Sequence, residues 1–81
     1  MHVTVLFFAQ ARERAGRDQQ GLDLPEGSRV GDLLAAVRRE HPRLADLEPH
    51  LAVAVDGRLA AVTDAITHGA EIALLPPVSG G

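Results

Sequence analysis

The chain has 81 residues, enough for one small hydrophobic core and too few for two. It is 46% hydrophobic but only 2% aromatic, so a core must be assembled from Leu, Val, Ile and Ala, and its net charge of -3 offers no electrostatic grip on a phosphate backbone. There is no cysteine, which excludes a disulfide framework, a thiolate metal site and a cysteine nucleophile.

The first segment, His2 to Phe8, is rich in β-branched and aromatic residues and predicts a strand. In the two-residue period Val3, Val5 and Phe7 share one face, and Thr4, Leu6 and Phe8 the other. Both faces are apolar toward the strand's end, which suits a central strand or one whose second face is covered by a helix or a partner. The apolar run and the Ala9-Gln10-Ala11 that follows it imitate a secretory leader. No Lys or Arg precedes the run, however, so a strand of a cytoplasmic protein is the better reading. No stretch approaches the roughly 20 apolar residues needed to cross a bilayer, and no membrane association is expected.

Gln10 to Ala15 predicts a short helical turn ended by Gly16, and Gln19 to Leu24 a second strand closed by Pro25-Glu26-Gly27. Val30, Leu33, Leu34 and Val37 recur at the spacing of an amphipathic helix, with Ser28 as its expected N-cap and Pro42 as its stop. Leu44 to Leu47 reads as an irregular turn. Leu51 to Val55, Asp56-Gly57 and Arg58 to Ala61 predict a hairpin, because Asp-Gly suits the positive φ values of a two-residue type I′ turn. Glu71 to Leu75 is the last strand, stopped by Pro76-Pro77. This order predicts an α+β fold of the β-grasp, or ubiquitin-like, kind: a mixed sheet of about five strands on one main helix. Residues 1–75 form the domain and residues 76–81 an extended tail. First and last strands would be neighbours, so the tail would leave from the middle of the sheet.

The four His residues, at 2, 41, 50 and 68, show no metal-ligand spacing, and no glycine-rich phosphate loop or Ser-His-Asp pattern is present. No metal and no bound cofactor are expected. The chain alone lacks catalytic machinery, and the chemistry falls to the tail. Pro76 and Pro77 favour a stiff extended conformation that holds Val78, Ser79, Gly80 and Gly81 off the domain. Gly80 and Gly81 carry no side chain, so their backbone can enter a channel closed to larger residues. The carboxylate of Gly81 is then a nucleophile that a partner can activate toward a phosphoanhydride.

The opening Val5-Leu6-Phe7-Phe8-Ala9-Gln10-Ala11-Arg12-Glu13 and the closing Leu75-Pro76-Pro77-Val78-Ser79-Gly80-Gly81 resemble the small, sulfur-carrying subunits of molybdopterin synthase, the MoaD-like group of ubiquitin-like sulfur carriers. The resemblance extends over the whole chain. It departs at one loop, where His68-Gly69-Ala70-Glu71 replaces the family's frequent Asp-Gly-Asp-Glu. It implies that an adenylating, E1-like enzyme uses ATP to activate Gly81 and that a sulfur donor converts it to a thiocarboxylate. The large synthase subunit then takes the sulfur for cyclic pyranopterin monophosphate. It also implies a partner surface at Phe8, Leu59 and Leu75, with Pro76, Pro77, Val78 and Ser79 as the inserted arm and Gly80 and Gly81 at the reacting end. Three other readings remain: a carrier for thiamin or tRNA thiolation, a ubiquitin-like protein modifier, and a β-grasp binding module with an inert tail.

Overall fold

The structure, a computed structural model, describes residues 1–77. Strand β1 (His2–Phe7) leads into helix α1 (Ala9–Ala15), followed by β2 (Gln19–Asp23) and the main helix α2 (Val30–Glu40). Two 3₁₀ turns, Pro42–Leu44 and Glu48–His50, precede β3 (Ala52–Val55), β4 (Arg58–Ala60) and β5 (Glu71–Leu75). The sheet order is β2-β1-β5-β3-β4, with β1 and β5 parallel and every other neighbouring pair antiparallel. The predicted β-grasp is present, and β5, the strand that continues into the tail, is its middle member.

Alternation decides which side of the sheet becomes the core. Val3, Val5 and Phe7 of β1 and Ile72 and Leu74 of β5 are buried against α2, which contributes Val30, Leu33, Leu34, Ala36 and Val37. A fully buried Leu or Val stabilises the fold by roughly 1.5–3 kcal/mol relative to exposure, so this one aliphatic layer supplies the main drive to fold. Leu44 and Leu47 of the irregular stretch close the end of the core.

Ser28 does not cap α2. Its hydroxyl donates to the carbonyl of Pro25 (2.7 Å) and closes the preceding turn, while Arg29 takes the N-cap position. The Asp32 carboxylate, three residues on, accepts from the Arg29 N–H (2.8 Å) and supplies the acidic group favoured in a first helical turn. At the other end of α2, Glu40 accepts from the Gln20 amide nitrogen (3.0 Å to each oxygen). That turns the Gln20 carbonyl toward His41, whose Nε2 donates to it (2.8 Å) while its ring meets that of Phe7 in a T-shaped contact. These bonds tie β2 to the helix C-terminus.

Candidate functional site

The second face of the sheet has no helix over it among the described residues. The cross-strand register places Leu6 of β1 beside Ala73 of β5, Ala73 beside Ala54 of β3, and Ala54 beside Leu59 of β4. An apolar row thus crosses four strands outside the core cluster: Leu6 and Ala73 are half-buried, Ala54 is buried and Leu59 is exposed. Leu75 pairs with Ala52 in the next row toward the end of β5. Phe8 and Leu75 each follow directly after the paired Phe7 and Leu74, so alternation turns both away from the core at the same end of the sheet. Phe8 is 44% exposed and Leu59 77%, whereas Leu75 is half-buried.

All three predicted partner residues therefore lie on this side of the sheet. Phe8 is not part of the core. The small residues Ala54 and Ala73 keep the middle of the face flat, and the larger side chains stand at its margins, a shape suited to a broad apolar partner. The face adjoins the tail: Leu75 ends β5, Pro76 is half-buried and Pro77 exposed. Val78, Ser79, Gly80 and Gly81 lie outside the described residues.

The hairpin that carries Leu59 is held by its turn. Asp56 and Gly57 have φ of 50° and 85°, the pattern of a type I′ turn. Asp56 also grips the start of β5: its N–H donates to the Glu71 carbonyl and its Oδ1 accepts from the Glu71 N–H, both at 2.9 Å. Leu59 is thereby placed relative to β5.

One arrangement was invisible in the sequence spacing. Antiparallel pairing of β1 and β2 sets His2 beside Asp23, with Nδ1 2.9 Å from the carboxylate, and His68 Nδ1 accepts from the His2 backbone N–H (3.0 Å). This brings together residues 66 apart in the chain, yet the His68 lone pair is already used by the backbone. Among the described residues no group of three His, Asp or Glu side chains is placed to hold a metal ion. No helix among them is long and apolar enough to cross a membrane. Every buried side-chain polar atom among them has a hydrogen-bond partner. The exposed Asp46 carboxyl is held below its usual range, chiefly by the hydrogen bond it accepts from Arg14.

The ThiS family model matches residues 5–81. A molybdopterin synthase sulfur carrier subunit from Chlamydomonas reinhardtii is 36% identical over 83 residues, covering 100% of both chains. The crystal structure of SAMP1 from Haloferax volcanii superposes with a TM-score of 0.92 at 34% identity, again over 100% of both chains. In the complex of subunits 1 and 2 of molybdopterin-converting factor from Helicobacter pylori, the matching chain gives a TM-score of 0.72 at 26% identity over the full length of both.

Proposed function

Because this chain belongs to the ThiS family, as a sulfur carrier of the MoaD/ThiS kind, we propose that it is the small subunit of a two-subunit molybdopterin synthase and carries sulfur on Gly81. The observation that carries the reading is the uncovered apolar face at the end of the middle strand, beside the point where the chain continues to Gly80 and Gly81. A carrier has to dock and present its terminus in one act, and here both features share one end of the sheet.

In this reading the Gly81 carboxylate attacks the α-phosphorus of ATP on an adenylating, E1-like partner. Pyrophosphate leaves and an acyl-adenylate forms. Hydrosulfide released by a sulfur donor then attacks the acyl carbon and AMP leaves, giving a thiocarboxylate with one oxygen replaced by sulfur. Phe8, Leu59 and Leu75 seat the domain on the large subunit, while Pro76, Pro77, Val78 and Ser79 reach inward as the arm. The sulfur passes to cyclic pyranopterin monophosphate, and water regenerates the carboxylate for another cycle. The domain itself binds no cofactor in this scheme, ATP being used by the activating enzyme, and the whole cycle runs in the cytoplasm.

The test is an intact-mass spectrum after incubation with the adenylating enzyme, ATP and a sulfur source, beside a chain lacking Gly81. A gain equal to sulfur replacing oxygen, seen only when Gly81 is present, supports the carrier; no gain with an active enzyme overturns it. The likeness to SAMP1, named as a modifier in the related Haloferax volcanii protein, favours a second reading in which Gly81 forms isopeptides on protein lysines. High-mass conjugates that disappear when Gly81 is removed would be its sign.

A further inference from the structure

Where β1 gives way to α1 the chain turns at Ala9, the first residue of the helix, whose φ is 49°. Among the described residues only one other non-glycine position has a positive φ, Asp56, and the type I′ turn accounts for it. Ala9 sits in no such turn, and alanine has no polar side chain to offset the left-handed conformation.

The chain is clamped on both sides of this residue. Before it, Phe7 is buried and its N–H donates to the carbonyl of Asp18 (2.8 Å). After it, the N–H groups of Ala11 (2.9 Å) and Arg12 (3.3 Å) donate back across Ala9 to the Phe8 carbonyl, and Ala11 is fully buried. A disfavoured backbone persists when its surroundings over-determine it, and such positions cluster where a geometry is used. What lies between the two clamps is Phe8, extended at φ -116° and ψ 151°, with its ring at the margin of the uncovered face.

We infer that Ala9 is a positioning residue: its left-handed backbone sets the direction in which Phe8 is presented to the large subunit. A glycine would relieve the strain but would open both signs of φ, leaving Phe8 a wider range of directions. Alanine in the narrow left-handed well restricts that range before docking, so less ordering is left for the moment of binding. The inference rests on the reading of Phe8 as a partner-binding residue.

The experiment compares the full chain with its Ala9→Gly, Ala9→Asn and Phe8→Ala variants, measuring the thermal midpoint and the dissociation constant for the large subunit of molybdopterin synthase. Ala9→Gly is expected to leave the midpoint nearly unchanged and to weaken binding about three- to tenfold, the cost of ordering one more side chain. Ala9→Asn, which tolerates the left-handed region and keeps a Cβ, is expected to bind like the native chain. Native binding by Ala9→Gly alongside weak binding by Phe8→Ala overturns the positioning role. So does a midpoint loss in Ala9→Gly that tracks its affinity loss and is not rescued by asparagine. If Phe8→Ala binds normally, or the native chain does not bind at all, the partner-face reading itself fails and the inference falls with it.

Discussion

Phe7 and Phe8 are adjacent in the chain and stand on opposite sides of the sheet, Phe7 2% exposed in the core and Phe8 44% exposed beside the bare face. The same deletion should therefore separate stability from docking. Phe7→Ala leaves a cavity beneath α2 and is expected to cost about 3–5 kcal/mol, a large share of what a domain this small possesses. Phe8→Ala removes a ring already half in water and should cost about 1 kcal/mol or less, while weakening association with the large subunit. Urea unfolding and calorimetric titration measure the two effects. A Phe8→Ala midpoint as low as that of Phe7→Ala would place Phe8 in the core.

Leu59, the most exposed of the three predicted partner residues, gives a stricter version of the test. It is 77% exposed, so Leu59→Asp should shift stability by about 0.5 kcal/mol or less. On docking, that carboxylate would be buried against an apolar partner without a counter-charge, which is expected to abolish measurable binding. Activation of Gly81 by the adenylating enzyme serves as a second readout. If Leu59→Asp bound the large subunit as the native chain does, the contact would lie elsewhere on the surface.

Much of this arrangement was legible in the sequence because alternation is a local property. The faces of β1 and β5, the helical stripe of α2 and the Asp56-Gly57 hairpin all follow from residues within a few positions of one another. Leu75 and Phe8 could be assigned to the outer face by counting in twos. Ser28 misled because a serine before a helical stripe signals an N-cap, whereas its buried hydroxyl here serves the Pro25 turn; the N-cap falls one position later, at Arg29, and the Asp32 side chain does the capping work. The left-handed Ala9 left no signal, since an alanine between a predicted strand and a predicted helical turn carries no mark of a positive φ. The approach of His2, Asp23 and His68 depends on strand register and a long loop, which no spacing within the chain expresses.

The turn at Asp56-Gly57 does two jobs that mutation can separate. Gly57→Ala meets no neighbouring atom, so its expected cost of about 1 kcal/mol comes from the positive φ alone. Asp56→Asn keeps a side-chain oxygen for the Glu71 N–H and tolerance of the left-handed region, and should cost about 0.5 kcal/mol or less. Asp56→Ala loses both and is expected to cost about 1–2 kcal/mol. Amide hydrogen exchange at Glu71 distinguishes the losses: it should quicken in Asp56→Ala and not in Asp56→Asn. Equal exchange in the two variants would show that the side-chain bond contributes nothing.

Arg14 and Asp46 join α1 to the segment between the 3₁₀ turns, the guanidinium donating to the Asp46 carboxylate and to the Arg43 carbonyl at 3.2 Å. The hydrogen bond from Arg14 holds Asp46 below its ordinary value of 3.8; partial desolvation opposes the shift, and the attraction of the same guanidinium adds to it. A carboxyl whose pKa is lower folded than unfolded takes up its proton in the unfolded chain first as the pH falls. Its contribution to stability is therefore complete above the unfolded value, fades as the pH drops through that value, and is gone below the folded one. Because the pair is exposed, the contribution should be small and should shrink further in high salt. Replacing Arg14 with Gln should return the Asp46 carboxyl toward its ordinary range in a carbon-detected NMR titration. The unfolding midpoints of the two proteins should differ slightly at neutral pH and converge in acid. An Asp46 titration identical in both proteins would mean that the bond between Arg14 and Asp46 does not form in solution.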